Sequence, residues 1–386
     1  MSLPDPQLAD LITAIHQTPR MVVLEFAGAG AQALAWLHSI GGSSRTILEA
    51  VDHYAAASLI EAVGFSPERF TSAEVARGLA TRAYIRAGQL APEGTPVAGI
   101  GCTATIATDR LKWGDHRCCV TACDERGLAT VSLTLTKGAR TRQQEEELVS
   151  LLIVRAVAST CGLENLPPLP LLPGEQLREA FQPTDLLVRL LAGDMAWVAV
   201  LPDGREVVGE TWPGLALLSG AFNPLHDGHR LLARVAGDLL GQEVYFELPL
   251  INADKAPISP QEARRRTAQF AGYAPVILTR LPLFSQKAQI FPHSVFILGV
   301  DTVERLVQPR FYHNSPAEML ASFQTIRAAG CRFLVAGRVR DGRFITLKDV
   351  PLPESVRDLF DEIPEDRFRV DISSTQLRER GRAAER

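Results

Sequence analysis

Leu215-Ala216-Leu217-Leu218, followed by Gly220-Ala221-Phe222-Asn223-Pro224-Leu225-His226-Asp227-Gly228-His229, sets the architecture of the second half of this chain. An apolar run leads into a glycine turn, and apolar residues then recur at helical spacing, which predicts a strand, a tight turn and a helix. Backbone N–H groups and the positive end of the helix dipole favour phosphate at such a turn. His226 and His229 lie on one face of the first helical turn, where both can donate to one polyphosphate. The stretch therefore predicts a site for a nucleoside triphosphate.

The composition is typical of a globular protein with two domains. The chain has 386 residues, of which 46% are hydrophobic and 22% charged. Its net charge of −4 gives no reason to expect nucleic acid or an anionic membrane as a partner, and no apolar run reaches the length of a membrane span. Acidic residues stand near the N-terminus, where a secretory signal would carry basic ones, so a cytoplasmic protein is expected. The six cysteines form no Cys-x-x-Cys pair, which favours buried thiols over metal ligands or disulfides.

Three regions follow one another along the chain. Residues 1–163 alternate helical patterns with short apolar runs and contain a hairpin signal at Asp124-Glu125-Arg126-Gly127, which predicts one α/β domain. Residues 164–213 begin with a proline-rich stretch and carry a second hairpin signal at Pro202-Asp203-Gly204, so they are predicted to be a stiff linker with a small β-hairpin. Residues 214–386 alternate strands and helices, which predicts a doubly wound parallel sheet of the Rossmann-like type.

Four segments of the second half place polar residues after predicted strands or at the start of a predicted helix. They are the glycine turn with its histidines, the loop from Asn252 to Lys255, Gly299-Val300-Asp301, and Ile372-Ser373-Ser374-Thr375-Gln376-Leu377-Arg378. In a doubly wound fold the carboxyl ends of the strands converge on one crevice, so all four segments can meet there. A lysine is a mobile point charge suited to phosphate, and the hydroxyls of the last segment can cap a helix with an arginine one turn later.

These segments resemble the nucleotidylyltransferase superfamily with the HxGH motif, and within it the nicotinamide or nicotinate mononucleotide adenylyltransferases. Gly220-x-Phe222-Asn223-Pro224-x-His226-x-Gly228-His229 matches the first motif of that family, and Ile372-Ser373-Ser374-Thr375-x-Leu377-Arg378 matches its late motif. Gly299 and Asp301 resemble the Gly-x-Asp that follows the fourth strand of the family, and Lys255 stands where a lysine loop is expected.

The resemblance implies transfer of AMP from ATP to the phosphate of a pyridine mononucleotide, with release of pyrophosphate and with Mg²⁺ accompanying ATP. It assigns catalytic roles to His226, His229 and Arg378. It assigns nucleotide or phosphate binding to a larger set, namely Gly220, Phe222, Asn223, Lys255, Gly299, Asp301, Ser373, Ser374 and Thr375. Two roles stay open for Asp301, which can accept a hydrogen bond from a ribose hydroxyl or lie near the metal.

Other functions are compatible with the same motifs. A related transferase could use CTP, or another phosphorylated acceptor such as phosphopantetheine, although Asn223-Pro224 favours the pyridine mononucleotide branch. A pseudoenzyme that binds nucleotides in a regulatory or structural role is the alternative from another class. Lys255 could be a solvated loop lysine, Ser373-Ser374-Thr375 alone would be a helix cap, and Arg264-Arg265-Arg266 is typical of a solvated helical face.

Residues 5–163 resemble the C-terminal domain family of the competence-damage-inducible proteins, whose active members are nicotinamide mononucleotide amidases. The resemblance rests on Gly42-Ser43-Ser44 followed by Tyr54, and on Thr71-Ser72-Ala73-Glu74-Val75-Ala76. It rests also on Gly99-Ile100-Gly101, which is expected to end a strand at the glycine-rich loop of the family.

The departures from that family concern its catalytic residues. In Leu24-Glu25-Phe26-Ala27-Gly28-Ala29-Gly30, Phe26 stands where the family has its serine nucleophile, and phenylalanine cannot attack an amide. Leu59 replaces the lysine of the family, and Gly101-Cys102-Thr103-Ala104-Thr105 replaces its Gly-Pro-rich loop. The domain is therefore expected to be non-catalytic, with a role in homo-oligomerisation, scaffolding or ligand sensing, and Cys102 to be a buried small side chain rather than a substitute nucleophile. The pairing of the two resemblances favours a pyridine mononucleotide as the substrate.

Overall fold

The computed structural model of the chain describes residues 5–109, 113–251, 258–340 and 342–369. It divides into two compact units, Met1–Asp194 and Met195–Arg386, each built around one large β-sheet. The α/β class and the two-domain organisation expected from the sequence are confirmed. Among the described residues, every helix is too short or too polar to cross a membrane.

The first unit is a six-stranded mixed sheet with helices. Its strands are β1 Met21–Ala27, β2 Ile47–Asp52, β3 Val97–Thr105, β4 His116–Cys123, β5 Gly127–Leu135 and β6 Gln176–Pro183. They lie in the order β2-β1-β3-β4-β5-β6, with β2, β1 and β3 parallel and the later pairs antiparallel. Its helices are α1 Pro6–Gln17, α2 Ala31–Ser39, α3 Ala56–Val63, α4 Ala73–Leu90, α5 Arg142–Thr160 and α6 Leu186–Ala192.

Glycines on strand β3 let helix α4 pack directly on the sheet. A Cβ at Gly99 would lie 2.1 Å from the backbone nitrogen of Tyr84, and a Cβ at Gly101 would lie 2.2 Å from the carbonyl oxygen of Ala76. Both glycines are inside the strand, so the prediction that Gly99-Ile100-Gly101 ends at a loop is wrong. Residues 101–105, predicted to replace a family loop, are strand as well. The glycines permit a close approach of two backbones rather than a turn.

The segment 164–213, predicted to be one connector, is divided between the two units. Gln176–Pro183 pairs with β5 as the edge strand of the first sheet, and Thr184 donates to the carbonyl of Asp124 at 2.8 Å. The predicted hairpin around Pro202-Asp203-Gly204 is present, but it belongs to the second sheet. Proline content and hairpin signals predict only local geometry. Which unit each part of this segment joins depends on the distant strands with which it pairs.

The second unit contains an eight-stranded sheet. Its strands and those of a small separate hairpin are β7 Trp197–Val200, β8 Glu206–Val207, β9 Ala216–Ser219, β10 Val244–Pro249, β11 Val276–Thr279, β12 Val295–Gly299, β13 Arg332–Ala336, β14 Arg338–Arg340, β15 Arg343–Ile345 and β16 Phe360–Glu362. The helices are α7 Asp227–Leu240, α8 Pro260–Thr267, α9 Phe284–Ile290, α10 Val300–Leu306 and α11 Pro316–Ala328. Strands β14 and β15 form the separate hairpin.

The order of the large sheet is β16-β13-β12-β9-β10-β11-β7-β8. Its first six strands in this order are parallel, and β7 and β8 extend it as an antiparallel hairpin. Among the parallel strands, β9 comes first along the chain. Strands β10 and β11 lie on one side of it, and β12, β13 and β16 lie on the other. The strand order therefore reverses at β9, which is the point where doubly wound folds bind ligands at their strand ends.

A buried ion pair links β10 to helix α9 inside the second unit. The Nζ of Lys287 lies 2.8 Å from Oε2 of Glu247, and the hydroxyl of Thr279 donates to Oε1 of the same carboxylate at 2.5 Å. Glu247 is 0% exposed and Lys287 is 3% exposed. Both charges are thus removed from water, and each depends on the other for compensation.

Candidate active site

The glycine turn follows the central strand of the second sheet. The backbone nitrogen of Gly220 donates to the carbonyl of Glu247 on β10 at 3.0 Å. Phe222 has a left-handed backbone conformation (φ 43°), and its buried ring packs edge-on against Phe246 and Phe270, with both centroids 5.3 Å away. A Cβ on Gly220 would lie 2.7 Å from the Phe222 ring, so the turn requires glycine at this position.

Side chains at the end of helix α8 hold the turn in place. Gln269 donates from Nε2 to the carbonyl of Phe222 at 2.9 Å and accepts at Oε1 from the backbone nitrogen of Leu225, also at 2.9 Å. Arg266 donates to the carbonyl of Ala221 at 3.1 Å. Gln269 could not be identified from the sequence, because a single glutamine near a helix end carries no motif. Its role becomes visible only from these two hydrogen bonds.

Arg265 and Arg266, in the run 264–266, contact groups around the glycine turn. Arg265 donates to Oδ1 of Asn223 at 2.6 Å, and both Arg265 and Arg266 donate to the carboxylate of Glu262. Hydrogen bonds from these guanidinium groups lower the pKa of Glu262 to about 2. The run predicted to be a solvated face thus fixes the turn that carries Asn223.

The two histidines stack on each other where helix α7 begins. His226 is the N-cap residue and His229 lies three residues on, and the ring centroids are 3.8 Å apart with an interplanar angle of 23°. The backbone nitrogen of His226 donates to Nδ1 of His229 at 3.4 Å. This hydrogen bond favours the tautomer of His229 that carries its proton on Nε2. The Phe222 ring packs edge-on against the same imidazole at 5.1 Å.

Both imidazoles are neutral donors at pH 7. Burial, together with the smaller effect of the neighbouring His226, lowers the pKa of His229 to about 4. Burial also lowers the pKa of His226, against a weaker opposing effect of Asp227. A stacked pair of neutral rings therefore stands at the positive end of a 14-residue helix, where backbone N–H groups and the helix dipole attract anions.

Acid is expected to destabilise the second unit through His229. Its pKa is about 4 in the folded protein against an ordinary value of 6.5, so its contribution to stability is complete above pH 6.5 and is lost as the pH falls towards 4. The difference in unfolding free energy between the wild type and His229→Gln should therefore shrink as the pH is lowered over this range. Urea unfolding followed by tryptophan fluorescence measures it, and a difference independent of pH would contradict the assignment.

Strand β12 ends beside β9 at the same edge of the sheet. Gly299 is its last residue, and among the described residues no atom outside its chain neighbours lies within 4 Å of the position that a Cβ would take there. Asp301, two residues later, forms ion pairs with Arg338 and Arg340 of the β14–β15 hairpin. Arg340 also pairs with Glu304 at 2.8 Å. Ribose or metal contacts were predicted for Asp301 from the sequence, and its two arginine partners were not.

Several predicted site residues lie outside the described part of the chain. They are Lys255, Ser373, Ser374, Thr375 and Arg378. The described residues that flank Lys255 meet at the end of β10, where the backbone nitrogen of Ile258 donates to the carbonyl of Leu250 at 3.1 Å. Among the described residues, no group of three His, Cys, Asp or Glu side chains is placed to hold a metal ion.

In the first unit, the position at which the family resemblance leads us to expect a nucleophile is filled by the core. Phe26 is buried among apolar residues of α2 and α5. The carboxylate of Glu146 accepts hydrogen bonds from the backbone nitrogens of Gly30 and Gln32 at 2.8 and 3.1 Å, at the N-terminus of α2. Cys102 is 1% exposed, and burial raises the pKa of its thiol well above the ordinary value. Cys102 is therefore a buried thiol, not a nucleophile.

Residues 217–380 match the model of the cytidylyltransferase-like family. The second unit is a nucleotidyltransferase domain. The matched range begins in β9 and includes the glycine turn, both histidines and Asp301. The predicted resemblance to HxGH nucleotidylyltransferases is thereby confirmed at the level of the superfamily, and so is the prediction that the chain is an enzyme of this class.

Several solved structures of competence-damage proteins are similar to the N-terminal part of the chain. The competence/damage inducible protein CihA from Agrobacterium tumefaciens is 16% identical, with a TM-score of 0.32, over 42% of this chain and 96% of that one. A competence-damaged protein (CinA) superfamily protein from Escherichia coli is 15% identical, with a TM-score of 0.30, over 42% and 92%. One from Enterobacter cloacae is 12% identical, with a TM-score of 0.32, over 42% and 93%. No curated protein matches the chain.

Replacing Gln269 with leucine is expected to lower kcat/KM of the nucleotidyltransferase domain by about 10- to 100-fold, because a small displacement of positioning groups has effects of this size. The change removes both side-chain hydrogen bonds that hold Phe222 and Leu225 of the turn. Gln242→Leu, at an exposed position after α7, is the matched control and should keep full activity. Equal activity of the two variants would show that Gln269 does not position the turn.

Proposed function

We propose that the nucleotidyltransferase domain transfers AMP from ATP to the phosphate of nicotinamide or nicotinate mononucleotide. An oxygen of the mononucleotide phosphate attacks the α-phosphorus of ATP in line. The bond from that phosphorus to the bridging oxygen breaks, and pyrophosphate leaves without a covalent enzyme intermediate. The observation that carries the proposal is the stacked pair of neutral imidazoles, His226 and His229, at the helix start beside the strand where the sheet order reverses.

The histidines are proposed to act on the leaving group. His229 presents Nε2–H because its Nδ1 accepts from the backbone of His226. Negative charge moves onto the pyrophosphate oxygens as the phosphorus–oxygen bond breaks, so a hydrogen bond donated to those oxygens strengthens in the transition state. Because both imidazoles are neutral, they attract the unreacted triphosphate only weakly. Their hydrogen bonds therefore stabilise the transition state more than the bound substrate.

Residues around the turn are proposed to bind the rest of the substrates. Gly220, Phe222 and Asn223 shape the turn against ATP, and Gly299 leaves space beside β12 for a substrate. Lys255 is proposed to contact a phosphate of one substrate. Ser373, Ser374, Thr375 and Arg378 are proposed to bind the β- and γ-phosphates.

Mg²⁺ is proposed to enter as part of the ATP complex. Asp301, a carboxylate at this edge of the sheet, is paired with Arg338 and Arg340, and the phosphates and water are proposed as the main ligands of the ion. Mg²⁺ bound in this way neutralises charge on the phosphates. Asp301 is proposed to keep the two arginines at the site, where they favour an anionic acceptor.

The test is pyrophosphate release from purified full-length protein with Mg²⁺ and each donor–acceptor pair. ATP or CTP is combined with nicotinamide mononucleotide, nicotinate mononucleotide or phosphopantetheine. Release with ATP and a pyridine mononucleotide is the expected result. Release only with CTP or phosphopantetheine would overturn the substrate assignment, and no release with any pair would favour a nucleotide-binding pseudoenzyme.

For the chain as a whole, we propose a cytoplasmic enzyme of NAD biosynthesis in which the first unit lacks the amidase mechanism of its relatives. Phe26 in the core and Glu146 at the start of α2 support this loss. Homo-oligomerisation through the first unit is proposed as well, and size-exclusion chromatography with light scattering tests it.

A further inference from the structure

A serine, a histidine and a glutamate form a continuous hydrogen-bonded chain in the first unit. The Oγ of Ser58 lies 3.0 Å from Nδ1 of His53, and Nε2 of the same imidazole lies 3.3 Å from Oε2 of Glu25. His53 and Glu25 are buried, whereas Ser58 is half-buried. A hydroxyl, an imidazole and a carboxylate in this sequence are the groups that activate a serine nucleophile.

A guanidinium group fixes the carboxylate and determines the direction of the hydrogen bonds. Arg82 on α4 donates from Nη1 to Oε1 of Glu25 at 2.6 Å. The same Nη1 is 3.4 Å from Nε2 of His53, so its stronger hydrogen bond is the one to the carboxylate. Oε2 of Glu25 is then the acceptor for an Nε2–H of His53, which leaves Nδ1 to accept the proton of Ser58.

This chain of residues is separate from the position of the lost nucleophile. Glu25 and Phe26 are neighbours on β1, so their side chains point to opposite faces of the sheet. Phe26 enters the core beside α2 and α5, and Glu25 faces Arg82 on α4. The backbone nitrogen of His53 donates to the carbonyl of Phe26 at 2.8 Å, which anchors the imidazole at the end of β2.

The surroundings of Ser58 suit attack on a carbonyl group. Ser58 is the third residue of helix α3, whose N-cap residue, Ala55, has no side-chain oxygen to cap the first-turn N–H groups. Those N–H groups can stabilise an oxyanion. Residues 54–57 are exposed, and Tyr54, at 75% exposure, offers an aromatic ring to a substrate at the surface.

We propose that Ser58, His53 and Glu25 form a second active site that hydrolyses small carboxylic esters. Ser58 Oγ attacks the carbonyl carbon while its proton moves to Nδ1 of His53, and the imidazolium then protonates the departing alkoxide, which leaves as the alcohol. Water loses a proton to His53 and attacks the acyl-serine, which releases the carboxylic acid and restores the serine hydroxyl. Glu25 is a positioning residue that holds the imidazole and stabilises its charged form.

The test is covalent labelling of the full-length protein with a fluorophosphonate probe. A serine–phosphorus bond forms, fluoride leaves, and the serine proton passes to His53. Peptide mass spectrometry should find the adduct on Ser58, and Ser58→Ala should abolish labelling and hydrolysis of p-nitrophenyl acetate at this site. His53→Gln should slow labelling by about 100-fold or more, as expected for loss of a general base.

A Ser–His pair elsewhere in the same unit provides an internal control. Nδ1 of His38 lies 2.5 Å from the hydroxyl of Ser43, and among the described residues no carboxylate forms a hydrogen bond or ion pair with this imidazole. Ser43 should therefore remain unlabelled. Labelling of Ser43 at the rate of Ser58, no adduct on Ser58 in the folded wild type, or an unchanged rate in a folded His53→Gln variant would each overturn the proposal.

The role of Glu25 has its own readout. Charged groups close to His53 are Glu25 on β1, Arg82 on α4 and Asp52 at the end of β2. Glu25→Gln should lower the labelling rate because an amide removes the carboxylate that holds the imidazole, and Glu25→Asp, which keeps a carboxylate, should restore part of that rate. Equal labelling rates of the folded Glu25→Gln and Glu25→Asp variants would restrict Glu25 to a structural role. Pyrophosphate release by the second unit should be unaffected by Ser58→Ala.

Discussion

Replacing His229 with alanine is expected to lower kcat for pyrophosphate release by about 100- to 1000-fold, the range measured when one preorganised donor is removed from an active site. The variant loses the Nε2–H that the backbone of His226 and the edge of the Phe222 ring hold in place. The turn itself should persist, because Gln269 contacts its backbone rather than the imidazole. Steady-state kinetics with ATP and the accepted mononucleotide measure the effect.

The matched control is His313→Ala. His313 is 92% exposed and pairs at the surface with Glu318, so its loss should change neither kcat nor the melting temperature. A His229→Ala variant that is folded by circular dichroism and keeps kcat within a few-fold of the wild type would show that the histidine pair does not act on the leaving group.

Replacing Lys287 with methionine is expected to lower the free energy of unfolding by about 3–5 kcal/mol, because it leaves a buried carboxylate without its counter-charge. Glu247 is fully buried, and Thr279 provides only one hydrogen bond to it. Methionine fills a similar volume, so loss of packing contributes little. Urea unfolding followed by the fluorescence of Trp197 and Trp212, both in this unit, measures the change.

Two further variants separate charge from packing. The double variant Glu247→Gln/Lys287→Met should recover part of the loss, since neither position then carries a charge. Arg327→Met breaks the exposed ion pair with Asp358 and should cost less than about 1 kcal/mol. A Lys287→Met variant no less stable than Arg327→Met would show that the buried pair is not a major source of stability.

Most of the parallel core of the second unit was predictable because its longer apolar and helical segments each carry their own pattern. The apolar run 215–218, the glycine turn and the helical spacing after it correspond to β9, the turn and α7. Helices α9 and α10 are seven residues each and were not predicted, since so short a segment shows little periodicity. Gln176–Pro183 pairs with a strand that lies far from it in the sequence, and no local pattern identifies that partner.

The candidate sites show the same limit. His226 and His229 were predicted because their spacing within one helical turn is a local property. Gln269 and the arginines that bind Asp301 come from segments far along the chain, and only the folded arrangement brings them to the strand ends. The hydrogen bonds from Ser58 through His53 to Glu25 join a residue of helix α3, the residue after strand β2 and a residue of strand β1. Their proximity could not be predicted from the sequence.

The hairpin of β7 and β8 has a consequence for dividing the protein into fragments. It precedes the parallel core in the sequence, yet it covers the edge of β11, and Trp197 packs against Trp212 and Phe291 with ring centroids 5.5 and 5.8 Å away. A fragment that starts at residue 214 would expose that edge strand to pairing between molecules and would aggregate. A fragment that starts at Met195 retains the cover, so expression in isolation should succeed from this boundary alone.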